Sequence, residues 1–74
     1  MLPGTRCRLE RDTLALGLVE GKRKAVALPP GALLEVLSAP STDHMVDVRW
    51  NGQIVTMFAI DLSARGTVVF SATA

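Results

Sequence analysis

Cys7 and His44 are the only cysteine and the only histidine in the 74 residues, and so the only candidates for thiolate or imidazole chemistry near neutral pH. Two acids, Asp43 and Asp47, lie close to the histidine in sequence. In an extended chain, however, successive side chains alternate between faces, so His44 and Asp47 point opposite ways. A catalytic triad needs nucleophile, base and orienting acid within hydrogen-bond reach, and a metal centre needs three or four convergent ligands. Cys7 and His44 supply two groups at most. The residues therefore predict no catalytic residue, no metal and no cofactor. Cys7 reads as a small buried thiol, and His44 as a loop residue facing water.

The cations Arg6, Arg8, Arg11, Lys22, Arg23, Lys24, Arg49 and Arg65 would suit the basic groove with which small barrels hold single-stranded nucleic acid. Seven acids nearly cancel them, and the net charge is +1. Such a groove also stacks bases on aromatic rings, whereas this chain has one tryptophan, two phenylalanines and no tyrosine. Lys22-Arg23-Lys24 sits at a turn and reads as a solvated segment. Nucleic acid is thus the alternative partner, and the first reading is association with itself or with another protein.

The elements that position these residues are β-type runs. Val46 to Leu62 carries the strongest signal, because two such runs meet at Asn51-Gly52, the pair that best tolerates the two positive φ angles of a type I′ turn. A two-residue loop there sets Trp50 opposite Gln53, Val48 opposite Val55 and Val46 opposite Met57. One side of the ribbon, with Val46, Val48, Trp50, Val55, Met57 and Ala59, is almost wholly apolar and reads as the core face. A slip of one residue would scramble it. The other side carries Asp47, Arg49, Ile54, Thr56 and Phe58.

Thr5 to Arg11 alternates in the same way, with Thr5, Cys7 and Leu9 on one side and Arg6, Arg8 and Glu10 on the other, as in a half-buried strand. After Asp12-Thr13, Leu14, Leu16 and Leu18 alternate with Ala15, Gly17 and Val19 up to the turn at Glu20-Gly21-Lys22. A three-residue loop sets the leucines opposite Leu28, Val26 and Lys24 and gathers the large apolar side chains in the core. Pro29-Pro30-Gly31 ends the following strand. Ala32 to Leu37 fits a buried strand or two helical turns by periodicity, and its brevity, with the loop Ser38 to Asp43 behind it, favours the strand. Ala59 to Gly66 reads as one tight helical turn ended by glycine. Thr67 to Phe70 is a last short strand, and Ser71 to Ala74 a fraying end.

A chain this short hides only about 60% of its unfolded surface, so a domain of this size usually needs a staple. One cysteine excludes an intrachain disulfide. The hydrophobic share of 49% exceeds what a small sphere can bury, which points to an interface. The amino terminus lacks a basic region followed by an apolar stretch, and no apolar run approaches the roughly 18 residues that cross a bilayer. With a lone thiol, a cytoplasmic location away from membranes is the expectation.

The carboxy half, about residues 25 to 70, resembles a Src-homology-3-like barrel. In that architecture a strand such as Gly31 to Leu37 leads through a loop into a tight hairpin like Val46 to Ala59, and a helical turn like Asp61-Leu62-Ser63 precedes a short closing strand. The chain departs from the peptide-binding branch of that fold, because Trp50 alone cannot build the aromatic grooves that hold polyproline ligands. A second, local resemblance lies in Asp61-Leu62-Ser63-Ala64-Arg65-Gly66. It reads D-x-S-x-x-G and resembles one of the two motifs of PilZ domains, the cyclic di-GMP receptors. That resemblance implies a guanine edge held by Asp61, Ser63 and Gly66, with Arg65 beside them. The family also grips guanine and phosphates with an R-x-x-x-R pair, a spacing that Arg6, Arg8 and Arg11 do not reproduce. The structural alternative is that Asp61 or Ser63 caps a helical turn and that Gly66 supplies a left-handed exit.

The sequence thus predicts an all-β, single-domain, Src-homology-3-like barrel of five to seven short antiparallel strands, with one helical turn near residues 60–65. It predicts a small intracellular, non-enzymatic interaction module that pairs with itself or with another protein through Ile54, Phe58 and Arg49. The alternative is a nucleic-acid or cyclic-dinucleotide binding module using Asp61, Ser63, Arg65 and Gly66.

Overall fold

The computed structural model describes residues 2–71, so most of the expected fraying end lies outside the described residues. Seven strands and one helix follow in the order β1 (Arg6–Leu9), β2 (Thr13–Val19), β3 (Lys22–Leu28), β4 (Leu33–Val36), β5 (Met45–Trp50), β6 (Gln53–Phe58), α1 (Ala59–Arg65) and β7 (Gly66–Phe70). They form one antiparallel sheet ordered β3-β2-β6-β5-β4-β1-β7, with β3 and β7 at its edges. Six of the strands and α1 send side chains into a single buried cluster, so the sheet curls around one core in barrel-like fashion.

Turn chemistry sets the central register. Asn51 and Gly52 hold φ of 52° and 79°, and the pairs Trp50 with Gln53, Val48 with Val55 and Val46 with Met57 form as the two-residue loop requires. Val46, Val48, Val55 and Met57 are buried, Trp50 packs half-buried against them, and Ile54 and Phe58 stand outside. Ala59 leaves the ribbon, because α1 begins there. In β1 and just before it, Thr5, Cys7 and Leu9 face in and Arg6 and Arg8 face out. Residues 33–36 are a strand, since Glu35 pairs with both Arg6 and Arg49 across its two neighbours.

The β2–β3 hairpin corrects the expected register. Its loop has two residues, Glu20 and Gly21, at φ of 53° and 77°, and it sets Leu14, Leu16 and Leu18 opposite Ala27, Ala25 and Arg23. Thr13, Ala15 and Gly17 therefore turn inward and the three leucines turn outward. The interior has room only for the small set. A β-carbon placed on Gly17 would lie 2.8 Å from Cγ2 of Val26 and 3.5 Å from Cγ1 of Val55. Of the side chains expected in the core here, Leu28 is buried and Val26 packs at its margin. Glu20 occupies a left-handed position that costs a β-carbon-bearing residue about 1–2 kcal/mol and suits asparagine better. Glu20→Asn is expected to stabilise the protein by about 0.5–1 kcal/mol and to raise Tm by roughly 2–8 °C in a thermal melt. An unchanged or lower Tm would remove the strain argument.

The helix is longer than the single turn read from the sequence. Phe58 is its N-cap in extended backbone, and no side chain caps it, so neither Asp61 nor Ser63 plays that part. Asp61 instead lies in the first turn, where its charge favours the positive end of the helix. Gly66 does not leave through left-handed backbone either. It is extended at φ −114°, ψ 156°, and its N–H donates to the Leu62 carbonyl. Its lack of a side chain is needed for space, because a β-carbon would lie 2.6 Å from that carbonyl oxygen. Leu62, the one buried residue of α1, anchors the helix in the core. Among the described residues no helix is long and apolar enough to cross a membrane.

Candidate functional site

The outer faces of β2 and β6 lie side by side, joined through Leu16 opposite Thr56 and Gly17 opposite Val55. Alternation from that register puts Leu14, Leu16 and Leu18 of one strand beside Ile54 and Phe58 of the other. These five side chains are exposed to 66%, 36%, 71%, 58% and 52%. A groove of about 320 Å³ runs between Leu16, Leu18, Ile54 and Thr56, with Arg23 and Asp47 at its rim. A second of about 210 Å³ lies between Leu14, Leu16, Ala25, Met45 and Phe58. The polar groups on this face are few, and the central one is satisfied: the Thr56 hydroxyl donates to Oδ1 of Asp47 at 2.7 Å. An apolar partner can cover the leucines, Ile54 and Phe58 while Arg23 and Asp47 stay in water at the margin.

Sheet geometry explains how so much apolar surface comes to one place. Ile54 and Phe58 point outward because Asn51-Gly52 puts their neighbours Val55 and Met57 inside. The leucines point outward because Gly17 and Ala15 fill the space beneath them.

Arg49 stands beside this face and is tied to its neighbour. Its Nη1 donates to Oε1 of Glu35 at 3.2 Å. Arg6 sits opposite Glu35 in the next strand, with its guanidinium carbon 5.7 Å from the centre of the Phe70 ring. Arg6, Glu35 and Arg49 thus make a charged row across the sheet. This row, the turn residues Asn51 and Gly52, and the apolar Leu33, Val69 and Phe70 line a groove of about 480 Å³. It is larger than either groove on the β2–β6 face, but its charges are of both signs and Arg49 is already paired with Glu35.

The remaining sequence-derived candidates do not assemble. Asp61 and Ser63 are two residues apart on α1, a spacing that brings no two helical side chains to one face. Arg65 is held elsewhere: its Nη1 donates to the Asp12 carbonyl at 3.3 Å, and its own carbonyl accepts the Glu10 N–H at 2.7 Å. Gly66 is committed to the close approach with Leu62. Cys7 is buried, and burial pushes its thiol pKa up, which leaves it protonated and a poor nucleophile at neutral pH. His44 is exposed in left-handed backbone at φ 61°. Its carbonyl accepts the Ala59 N–H at 2.9 Å, which ties the loop to the start of α1. Among the described residues no three His, Cys, Asp or Glu side chains gather as a metal site would require.

No protein-family model, no curated protein and no solved structure matches this chain.

Ile54 and Phe58 stand exposed as the sequence places them, whereas the three leucines beside them, expected in the core, stand exposed too. The signal was present in Thr13, Ala15 and Gly17, three small side chains at alternate positions, which mark an inward face with little depth.

Proposed function

We propose that this chain is a small intracellular, non-enzymatic interaction module, a Src-homology-3-like barrel whose working surface is the outer face of β2 and β6. One observation carries the reading: Leu14, Leu16, Leu18, Ile54 and Phe58 stand exposed together on two adjacent strands. On the order of 500 Å² of surface lies within the range for the largest patch on an ordinary monomer, and such patches often mark contacts. The barrel comparison draws on the run β7-β1-β4-β5-β6 with a helix between β6 and β7, an arrangement like that of Src-homology-3 barrels. It supports a scaffold and leaves the function to the surface.

Nucleic-acid or cyclic-dinucleotide binding has weaker support. Two of the arginines face carboxylates, Arg49 with Glu35 at 3.2 Å and Arg8 with Glu10 at 3.6 Å, and on the β2–β6 face the one cation lining the groove, Arg23, is matched by Asp47.

The test is a photo-crosslinking amino acid placed at Leu18 in the cell that makes the protein, with the same group at Arg8 on the far part of the sheet as control. Protein adducts are expected at position 18 in several-fold excess over position 8. Their yield should hold as salt rises, unlike a phosphate contact. Equal or absent adducts at the two positions would defeat the reading.

A further inference from the structure

We infer that the occupant of the β2–β6 face is a second copy of this chain, the two copies packing outer sheet on outer sheet about a two-fold axis. The inference rests on the interaction-module reading and names its partner. An isologous contact uses one patch twice, so that patch must carry both projections and the hollows that receive them. This face does. Leu18, at 71% exposed, and Phe58, at 52%, project from it, and grooves of about 320 and 210 Å³ open between the same strands. A cavity of roughly 150 Å³ admits a benzene ring, so each groove has room for a leucine or phenylalanine side chain of the other copy.

Area and charge agree with this. Two such faces would bury on the order of 1,000 Å² from these five residues, the area at which a contact becomes that of a specific protein–protein interface. The alanines opposite the leucines, Ala25 and Ala27, add to it and let the sheets approach closely. The charges at the rim are one of each sign, Arg23 and Asp47, so a second copy brings no concentrated field of like charge against the first. The face of Leu33, Val69 and Phe70 is a poorer seat for a copy, because the row Arg6, Glu35, Arg49 would have to be desolvated with it.

Sedimentation equilibrium of the full chain tests the inference. At roughly 100 µM, where a pair with micromolar Kd is mostly assembled, the expected mass is twice 7.9 kDa. Leu18→Asp and, separately, Phe58→Asp each enter a two-fold contact twice, so each should weaken pairing by roughly a thousandfold and bring the mass at that concentration close to that of one chain. Both side chains lie on the surface, and a circular-dichroism melt confirms the fold of each variant. Leu33→Asp, on the other face, should leave the mass doubled. A wild-type chain of single mass at that concentration overturns the inference whatever the variants do. So does a doubled mass that Leu33→Asp abolishes and Leu18→Asp spares. A single mass together with crosslinks from position 18 to a different protein overturns self-pairing and leaves the module reading standing; a single mass with no crosslinks removes both.

Discussion

Replacing Leu62 with alanine is expected to remove about 3 kcal/mol of folding free energy, out of a total of roughly 4–11 kcal/mol for a chain of this length. Leu62 is 1% exposed and is the only buried side chain of α1. A helix of seven residues has no stability of its own in water, so α1 exists because this one side chain fastens it to the core. Truncation loses the transfer free energy of the leucine and leaves a cavity the surrounding strands cannot close. The damage should spread to the start of β7, whose first residue Gly66 pairs with Leu9 and rests on the Leu62 carbonyl. Urea unfolding would show a lower midpoint with little change in slope. Amide exchange at Glu10, which donates to the Arg65 carbonyl at 2.7 Å, should accelerate with it. A loss below about 1 kcal/mol would mean that the helix is no part of the cooperative unit.

The parts of the fold that were legible in the sequence are those where two local signals agree. At Val46 to Phe58 the turn chemistry of Asn51-Gly52 and the alternation of the flanking residues demand one register, and that register forms. In and around β1 the charged and apolar sides are so distinct that burial follows directly. The β2–β3 hairpin was illegible because its signals conflict. Size argues that the leucines go in, whereas the turn must use Glu20 in left-handed backbone to bring Thr13, Ala15 and Gly17 in. What decides is the space left by Val26 and Val55, side chains remote in sequence from Gly17 whose positions no local pattern carries. Gly66 shows the same limit. The sequence marks a glycine, but whether it serves a positive φ or a close approach depends on where the Leu62 carbonyl lies.

The candidate surface divides along the same line. Ile54 and Phe58 follow from the parity of one turn and could be placed outside from the sequence alone. Arg49 could be placed outside too, but its ion pair with Glu35 joins residues 14 apart and depends on the β4–β5 register. The leucines required the parity of the second turn, where the reading failed. A surface assembled from two hairpins therefore showed only the half contributed by the better-specified one.

Gly17→Leu is expected to destabilise the protein by about 3 kcal/mol, the upper part of the range for overpacking a filled interior, whereas Leu18→Ala, one residue on, should stay within about 0.5 kcal/mol when measured on the dissociated chain. The asymmetry runs against hydrophobicity, which ranks a leucine above a glycine at any core position. It follows from geometry. The first added carbon at position 17 already lies 2.8 Å from Val26 and 3.5 Å from Val55, so further carbons must drive apart β2, β3 and β6 or leave their rotamer wells. Val26 is only half-buried and can give way to a methyl group, so Gly17→Ala should cost less, about 1 kcal/mol. At position 18 the side chain is 71% exposed, and truncation opens no cavity. Chemical denaturation at sub-micromolar concentration separates these terms from any loss of pairing, because association stabilises the folded chain only in proportion to its mass action. Should Leu18→Ala collapse the fold while Gly17→Leu is tolerated, β2 faces the other way, and the leucines assigned to the contact surface belong to the core.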